Sequence, residues 1–481
     1  MPELGLIGPT YQSRSLNFDA QRTINLFPEV NETKRGKAVA ALLGTPGLRR
    51  LLTLPGSGGL RGNGLYTAST GRCFAVQGAA VFEVSSTATS TRLGSLLTTT
   101  GPVCLADNGL QLVVVDGAYG YVLDLTTNVW TQITSPNFYG ADRVQFLDQY
   151  LLLNRAGTQQ FFWTSLSGVS FDALDFASAE GAPDLLLSLL ITHREIWLFG
   201  ATSTEVWFDS GDLDTPFQRI QGAFVECGIE APHSVTKFPA THYWLGSDER
   251  GAGTAYEAQG YQPVRISTYA VEQAWSSYAT RADALGWGEL REGHAFWWLT
   301  FPTGNATWCY DIGTQLWHER SYLNPSTGTF DRHRANAHTY AFGKHLVGDW
   351  ENGKIYELDL ATYTDDGAPL KWLRRAPYVA ADTLPWVFHH TLQVDLETGV
   401  GLDAGVTPGS DPQVMLRWSD DNGGTWSNER WTSAGPMGQR RVRALWRRLG
   451  RARARVYEIS GSDPVKRALL AAYLESEVAT A

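Results

Sequence analysis

Charge is scarce in this chain. Charged residues are 18% of its 481 positions, against about 25% in an average soluble domain. Acidic residues outnumber basic ones, 49 to 39, for a formal net charge of −10. Binding nucleic acid by neutralising phosphates needs a basic surface, so a generic nucleic-acid binder is excluded. Long apolar runs are also missing. The longest, Leu185 to Ile191 interrupted by Ser188, is far too short to span a bilayer, so no membrane insertion is expected. The opening MPELGLIGP lacks a cationic stretch followed by an apolar run, and no signal peptide is read there. Cysteines number only four, Cys73, Cys104, Cys227 and Cys309, with no C-x-x-C. Neither a zinc cage nor a disulfide framework is indicated, and buried thiols in a chain made in the cytoplasm are expected.

Glycine and aromatics are plentiful instead, with 49 Gly, 18 Trp and 12% aromatics overall. Hydrophobic residues reach 43%, enough for a real core. Many turns, many aromatics and few charges point to an all-β protein whose surface is partly covered by partners.

A short unit recurs. Asp124, Thr127 and Trp130 form D-x-x-T-x-x-W after the strand-like YGYVLD. Asp311, Thr314 and Trp317 repeat it after TWCYD, and Asp359 with Thr362 is a looser copy after KIYEL. An apolar strand ends, Asp and Thr close the turn through local hydrogen bonds, and Trp begins the return strand. Weaker equivalents lie at Glu83, Thr164, Asp209 and Glu257. The seven positions are 41, 40, 45, 48, 54 and 48 residues apart. This period, with three or four short strands per unit, predicts an irregular β-propeller of about seven blades. A set of β-sandwiches would also give short strands, but would not require one hairpin at one spacing.

The predicted organisation places an extended segment at 1–50, a propeller at 51–375, a linker at 376–385 and a small β-sandwich at 386–481. The first segment, with Pro9, Pro28 and Pro46, is expected to run over the surface, closing the ring or reaching a neighbouring subunit. The tail PVKRALLAAYLESE suits either a helix or an edge strand.

Two local motifs stand out. Ser419, Asp421, Gly423, Thr425 and Trp426 fit S-x-D-x-G-x-T-W, the Asp-box hairpin turn. It resembles the turn of sialidase propellers, where it is structural, and a single box outside the predicted propeller is expected to be structural here. The second motif is a run of arginines: Arg440, Arg441, Arg443, Arg447, Arg448, Arg451, Arg453 and Arg455. The last three alternate with small apolar residues, which predicts one arginine-bearing strand face. Such forks suit carboxylates or phosphates. Residues 386–481 hold 12 Lys+Arg and 11 Asp+Glu, so nearly all the net negative charge lies in the rest of the chain. Partner or subunit contact is the favoured reading, ahead of a solvated face or a nucleic-acid contact.

Nothing else carries a chemistry motif. The loose histidines at His333, His338, His345 and His389–His390 lack metal spacing. The glycine-rich 56–64 lacks the Lys-Ser/Thr of a P-loop, and no G-x-S-x-G elbow is present. Asp209, Asp212 and Asp214 sit in a turn, which is no argument for a glycosidase pair. No catalytic residue, metal or cofactor is assigned.

Motifs spread through the chain resemble the packaged-DNA-stabilisation, or tail-nozzle, proteins of P22-like short-tailed bacteriophages. They are Ile24–Pro28, Gly44–Leu48, Phe199–Phe208, Cys227–Ile229, Tyr243–Gly246, Ile266–Glu272, Thr307–Asp311, Leu316–Arg320 and Leu445–Arg451. Their order is the specific part. The resemblance implies a virion protein that forms a homo-hexameric ring below the portal and its adaptor. It also implies a channel for packaged double-stranded DNA, read without sequence, and docking of a tail needle and tailspikes or fibres. The family brings no catalytic residues. An acidic channel wall would let DNA slide. The alternatives are a propeller glycoside hydrolase or depolymerase acting on host surface polysaccharide, and a monomeric scaffold.

Overall fold

The computed structural model describes residues 3–212, 215–248 and 251–479. Strands hold 51% of the chain and helix 2%. Seven antiparallel units follow one another as propeller blades: four separate four-stranded sheets, a five-stranded one, and two that are parts of larger sheets. Blade 1 spans Leu60–Thr67 to Ser90–Ser95, blade 2 Cys104–Asp107 to Trp130–Gln132, and blade 3 Val144–Leu147 to Phe176–Ser178. Blade 4 runs from Leu186–Thr192 to Phe217–Val225, and blade 5 from Gly228–Ile229 to Gln262–Arg265. Blade 6 runs from Leu285–Arg291 to Leu316–Glu319, and blade 7 holds Ala335–Ala341, Lys344–Asp349 and Lys354–Asp359. All seven positions marked by the sequence period fall in or just after the third strand of a blade.

The blades stack because their strands are apolar on both faces. In Gln111–Val115 of blade 2, Leu112 and Val114 pack against blade 1, while Val113 and Val115 pack against blade 3. Alternation is thus hidden in a continuous apolar run. One apolar cluster fills each of the seven blade interfaces, and an eighth fills the sandwich. All four cysteines are buried free thiols.

The fourth strand of blade 7 comes from the other end of the chain. Gly47–Thr53 pairs antiparallel with Lys354–Asp359 and closes the ring. Gly47 is needed there because a Cβ would meet Thr362 O at 2.4 Å.

The N-terminal segment does more than cross the surface. Leu26–Val30 and Ala40–Gly44 join one sandwich sheet with Ala468–Val478, Val387–Leu396 and Ala444–Arg447, to which the short strands Glu3–Leu4 and Arg451–Ala452 also pair. Ala20–Ile24 joins the facing sheet beside Trp372–Arg375, and Ile24 also bridges in parallel to Glu319 of blade 6. The sandwich sheet and blade 6 are therefore continuous. Arg374, fully buried, holds this segment: its guanidinium donates to Leu6 O at 2.6 Å, Pro9 O at 2.8 Å, Thr23 Oγ1 at 2.9 Å and Gln21 Oε1 at 2.7 Å. Burial pulls its pKa down to about 9.

The tail is neither helix nor edge. Ala468–Val478 is a strand inside its sheet, between Val387–Leu396 and Ala40–Gly44. Helix propensity gives way to burial, since Leu469, Ala472 and Leu474 enter the sandwich core. The one helix among the described residues, Tyr269–Ser276, links blades 5 and 6 and buries Trp275. No helix among them is long and apolar enough to cross a membrane.

Candidate interaction surfaces

The propeller axis, where a ligand site would be sought first, is occupied by the chain itself. The first strand of blade 5 is split into Gly228–Ile229 and Thr236–Lys237, and the segment between them enters the axis. His233 Nδ1 lies 3.2 Å from Asn63 Nδ2 of blade 1. Ser188 Oγ of blade 4 donates to Pro232 O at 2.8 Å. Gly286 N of blade 6 donates to His233 O at 2.9 Å, and Leu245 N of blade 5 donates to Ser234 Oγ at 3.0 Å. Burial, aided by the Arg143 charge, pushes the His233 imidazole down to about 3, so it is neutral. Sequence reasoning missed this plug, because Pro232-His233-Ser234 carries no motif.

The recurring turns are built from the residues that mark them. Asp124 Oδ1 accepts from Thr126 N and Thr127 N at 2.9 and 2.7 Å, and Trp130 stacks on Tyr121. Asp311 accepts from Gly313 N at 3.0 Å and Thr314 Oγ1 at 2.8 Å. Trp317 is buried and donates to Ile266 O at 2.9 Å. The Asp209 turn continues to Asp214, which lies outside the described residues.

The Asp-box forms a tight knot on the sandwich. Gly423 N donates to Ser419 Oγ, Ser419 Oγ to Asp421 Oδ1, and Thr425 N to Asp421 Oδ1, each at 2.7 Å. The Thr425 hydroxyl also donates to Asp421, and these bonds hold its carboxyl down at about 2. Gly423 has φ 92°, which suits glycine. The turn delivers Trp426 between Arg375 and Arg417, whose guanidinium carbons lie 4.5 and 4.8 Å from its ring. Both arginines bind the buried Glu458.

The arginine run is not one strand face. Arg451–Ala452 pairs with Val387–Leu396 in one sheet, whereas Ala454–Gly461 belongs to the facing sheet. The chain crosses between sheets at Arg453, so the alternation breaks. Arg451 and Arg453 stay exposed over the Trp386 ring, at 4.8 and 5.3 Å. Arg455 is 1% exposed and forms a two-point pair with Asp420, at 2.6 and 2.8 Å. It is a core anchor, which corrects its place among surface contacts. Arg440, Arg441, Arg443, Arg447 and Arg448 are exposed. With Arg451 and Arg453 they make seven exposed arginines, none of which joins an ion pair among the described residues.

Two family models match the sequence in succession. One, bacteriophage P22 Gp10 β-propeller, covers residues 3–363. The other, bacteriophage P22 Gp10 β-sandwich, covers residues 371–477. The chain belongs to the bacteriophage P22 Gp10 family. No curated protein matches the sequence. Among solved structures, it is similar to the extracellular domain of a putative hybrid two-component system from B. thetaiotaomicron. There the identity is 9% and the TM-score 0.45, over 65% of this chain and 40% of that one. It is also similar to the Neurospora crassa Pan2 WD40 domain, at 9% identity and a TM-score of 0.42, over 66% of this chain and 97% of that one.

The Gp10 family is one of phage structural proteins, and this Gp10-family chain is a virion component in that sense. The two matched domains are the two units seen here. The strands within residues 3–46, matched with the propeller, all belong to the sheets of the sandwich, so the two domains of this Gp10-family member are interlocked.

Proposed function

We propose that this chain is the nozzle subunit of a short phage tail. Copies form a hexameric ring below the portal and adaptor, extend the DNA channel, help retain packaged DNA, and dock the tail needle and tailspikes or fibres. The observation that carries the reading is the pair of successive family matches over both domains, residues 3–363 and 371–477. The filled propeller axis supports it, because DNA must then pass between subunits, through the ring, and not through a propeller. The net charge of −10 supports a channel that repels phosphates and lets DNA slide. Strands exchanged between the domains suit a part that carries load, since domains of one chain held only by a small polar interface move relative to one another.

Mass photometry tests this. The purified protein is weighed alone and with the portal–adaptor complex of its own phage. The expected result is a 52.9 kDa species alone, with a ring of copies added to the complex. A protein that never binds the complex would overturn the reading.

A further inference from the structure

Two surfaces of this chain carry opposite charge and interleaved apolar side chains. The first is on the sandwich. Arg430 Nη1 donates to Arg447 O and Arg448 O, and Trp446 Nε1 donates to Arg430 O, so these residues form one patch. Phe388 pairs across from Arg451 in the same sheet. Trp431 is 62% exposed, and Trp386 lies beneath Arg451 and Arg453. Tryptophan and arginine are the side chains that most often dominate protein contacts.

The second surface is on blades 3 and 4. Of the ten carboxylate residues in 172–226, Glu205 is buried and Asp214 lies outside the described residues; the other eight reach the surface, against only two basic residues, Arg194 and Arg219. Asp172, Asp175, Glu180 and Glu226 have no cationic partner among the described residues. Among them Leu174 is 82% exposed, and Phe176, Leu185 and Phe224 are also exposed. An exposed acidic and apolar rim is the counterpart of an arginine–tryptophan patch.

Their placement decides the partner. The sandwich joins the propeller at blade 6, through Ile24 and Glu319, and at blade 7, through Gly47–Thr53. In a ring of seven blades, blades 3 and 4 lie across the axis from blade 7. The sandwich and the acidic rim therefore attach to different arcs of the propeller. Unlike and complementary surfaces make head-to-tail contacts, which close into a ring where the rotation from copy to copy closes. We infer that the arginine–tryptophan patch of the sandwich docks on the acidic rim of blades 3 and 4 of a neighbouring copy. This rests on the ring reading above and names the contact that builds the ring.

Charge-swap variants test it on the portal–adaptor complex, with copy number read by mass photometry. Arg447→Glu/Arg451→Glu reverses one surface, and Asp172→Arg/Glu180→Arg reverses the other. Both pairs are exposed, and an unchanged melting curve checks that each variant folds. Each variant alone is expected to lose ring assembly at least tenfold. Mixed together they assemble again, because alternating copies restore opposite charge at every contact of an even-membered ring. A variant that assembles as well as wild type overturns the contact and leaves the ring reading standing. A mixture that stays unassembled also overturns it. Wild-type protein that forms no ring overturns both. Unchanged assembly with loss of duplex DNA binding in Arg447→Glu/Arg451→Glu would make the patch a nucleic-acid surface instead.

Discussion

Asn25 and Ser321 hold each other through two hydrogen bonds: Asn25 Nδ2 donates to Ser321 O at 2.8 Å, and Ser321 N donates to Asn25 Oδ1 at 2.9 Å. Asn25 Nδ2 also donates to Lys371 O at 2.8 Å. One buried side chain thus joins the N-terminal segment, the exit of blade 6 and the start of the sandwich. Its φ of 54° is tolerated by Asn and Gly. Asn25→Gly keeps the backbone and orphans two buried groups and a half-buried carbonyl, which is expected to cost about 2–4 kcal/mol. Asn25→Ala adds left-handed strain of about 1 kcal/mol. Urea unfolding midpoints check the order, and an Asn25→Gly variant as stable as wild type would refute it.

Glu458 and Trp426 form one unit. Glu458 is 2% exposed and neutralises both Arg375 and Arg417, and Trp426 packs between those guanidinium groups. Glu458→Gln leaves two cations close together without their anion, an expected loss of about 3–5 kcal/mol. Trp426→Ala leaves the ion pairs but removes two cation–π contacts, a smaller expected loss of about 1–2 kcal/mol. Thermal melts of the two variants should rank in that order.

These cases show what was legible in the sequence. The blade period was legible because each third strand ends in a turn that needs a short hydrogen-bonding side chain, as at Asp124, Asp311 and Asp359. The Asp-box was legible for the same local reason. Arg374 and Asn25 were not, because their partners lie about 300 residues or more away. The sandwich strands Ala20–Ile24 and Leu26–Val30 were not, because five residues carry too little periodicity. Arg455 misled because alternation continues through a point where the chain changes sheets. The helix at Tyr269–Ser276 had a signal in its N-cap, Thr268, but eight residues do not interrupt an all-β pattern.

Buried histidines make the fold acid-sensitive. His242, His318, His333 and His389 are each at most 3% exposed. Burial pushes His242 and His333 down to about 3, His389 to about 4, and His318 well below the usual imidazole range. The unfolded chain takes up protons near 6.5 and the folded one does not. Their contribution is therefore present above pH 6.5 and is lost as pH falls toward 4 and 3. Each site contributes a slope of up to about 1.4 kcal/mol per pH unit. Urea midpoints at pH 7.5, 6.5, 5.5 and 4.5 should fall a little over the first step, where the unfolded imidazoles become half protonated, and then steeply. A flat profile down to pH 4.5 would show that these imidazoles are protonated in the fold.

Gly286 tests the plugged axis. It lies on the first strand of blade 6, where a Cβ would sit 2.0 Å from Ser234 O. That oxygen is backbone of the plug and cannot rotate aside. The Gly286→Ala variant must therefore displace the plug or the strand, and break the Gly286 N to His233 O bond. Overpacking of this kind costs about 1–3 kcal/mol, and the lost bond adds to it. The plug carries few of its own backbone bonds, so the strain should appear there first. Amide hydrogen exchange should quicken across 230–236, while the first two strands of blade 3 keep wild-type protection. Uniform quickening across all seven blades would mean that the axis segment is part of one cooperative core and not a separable plug.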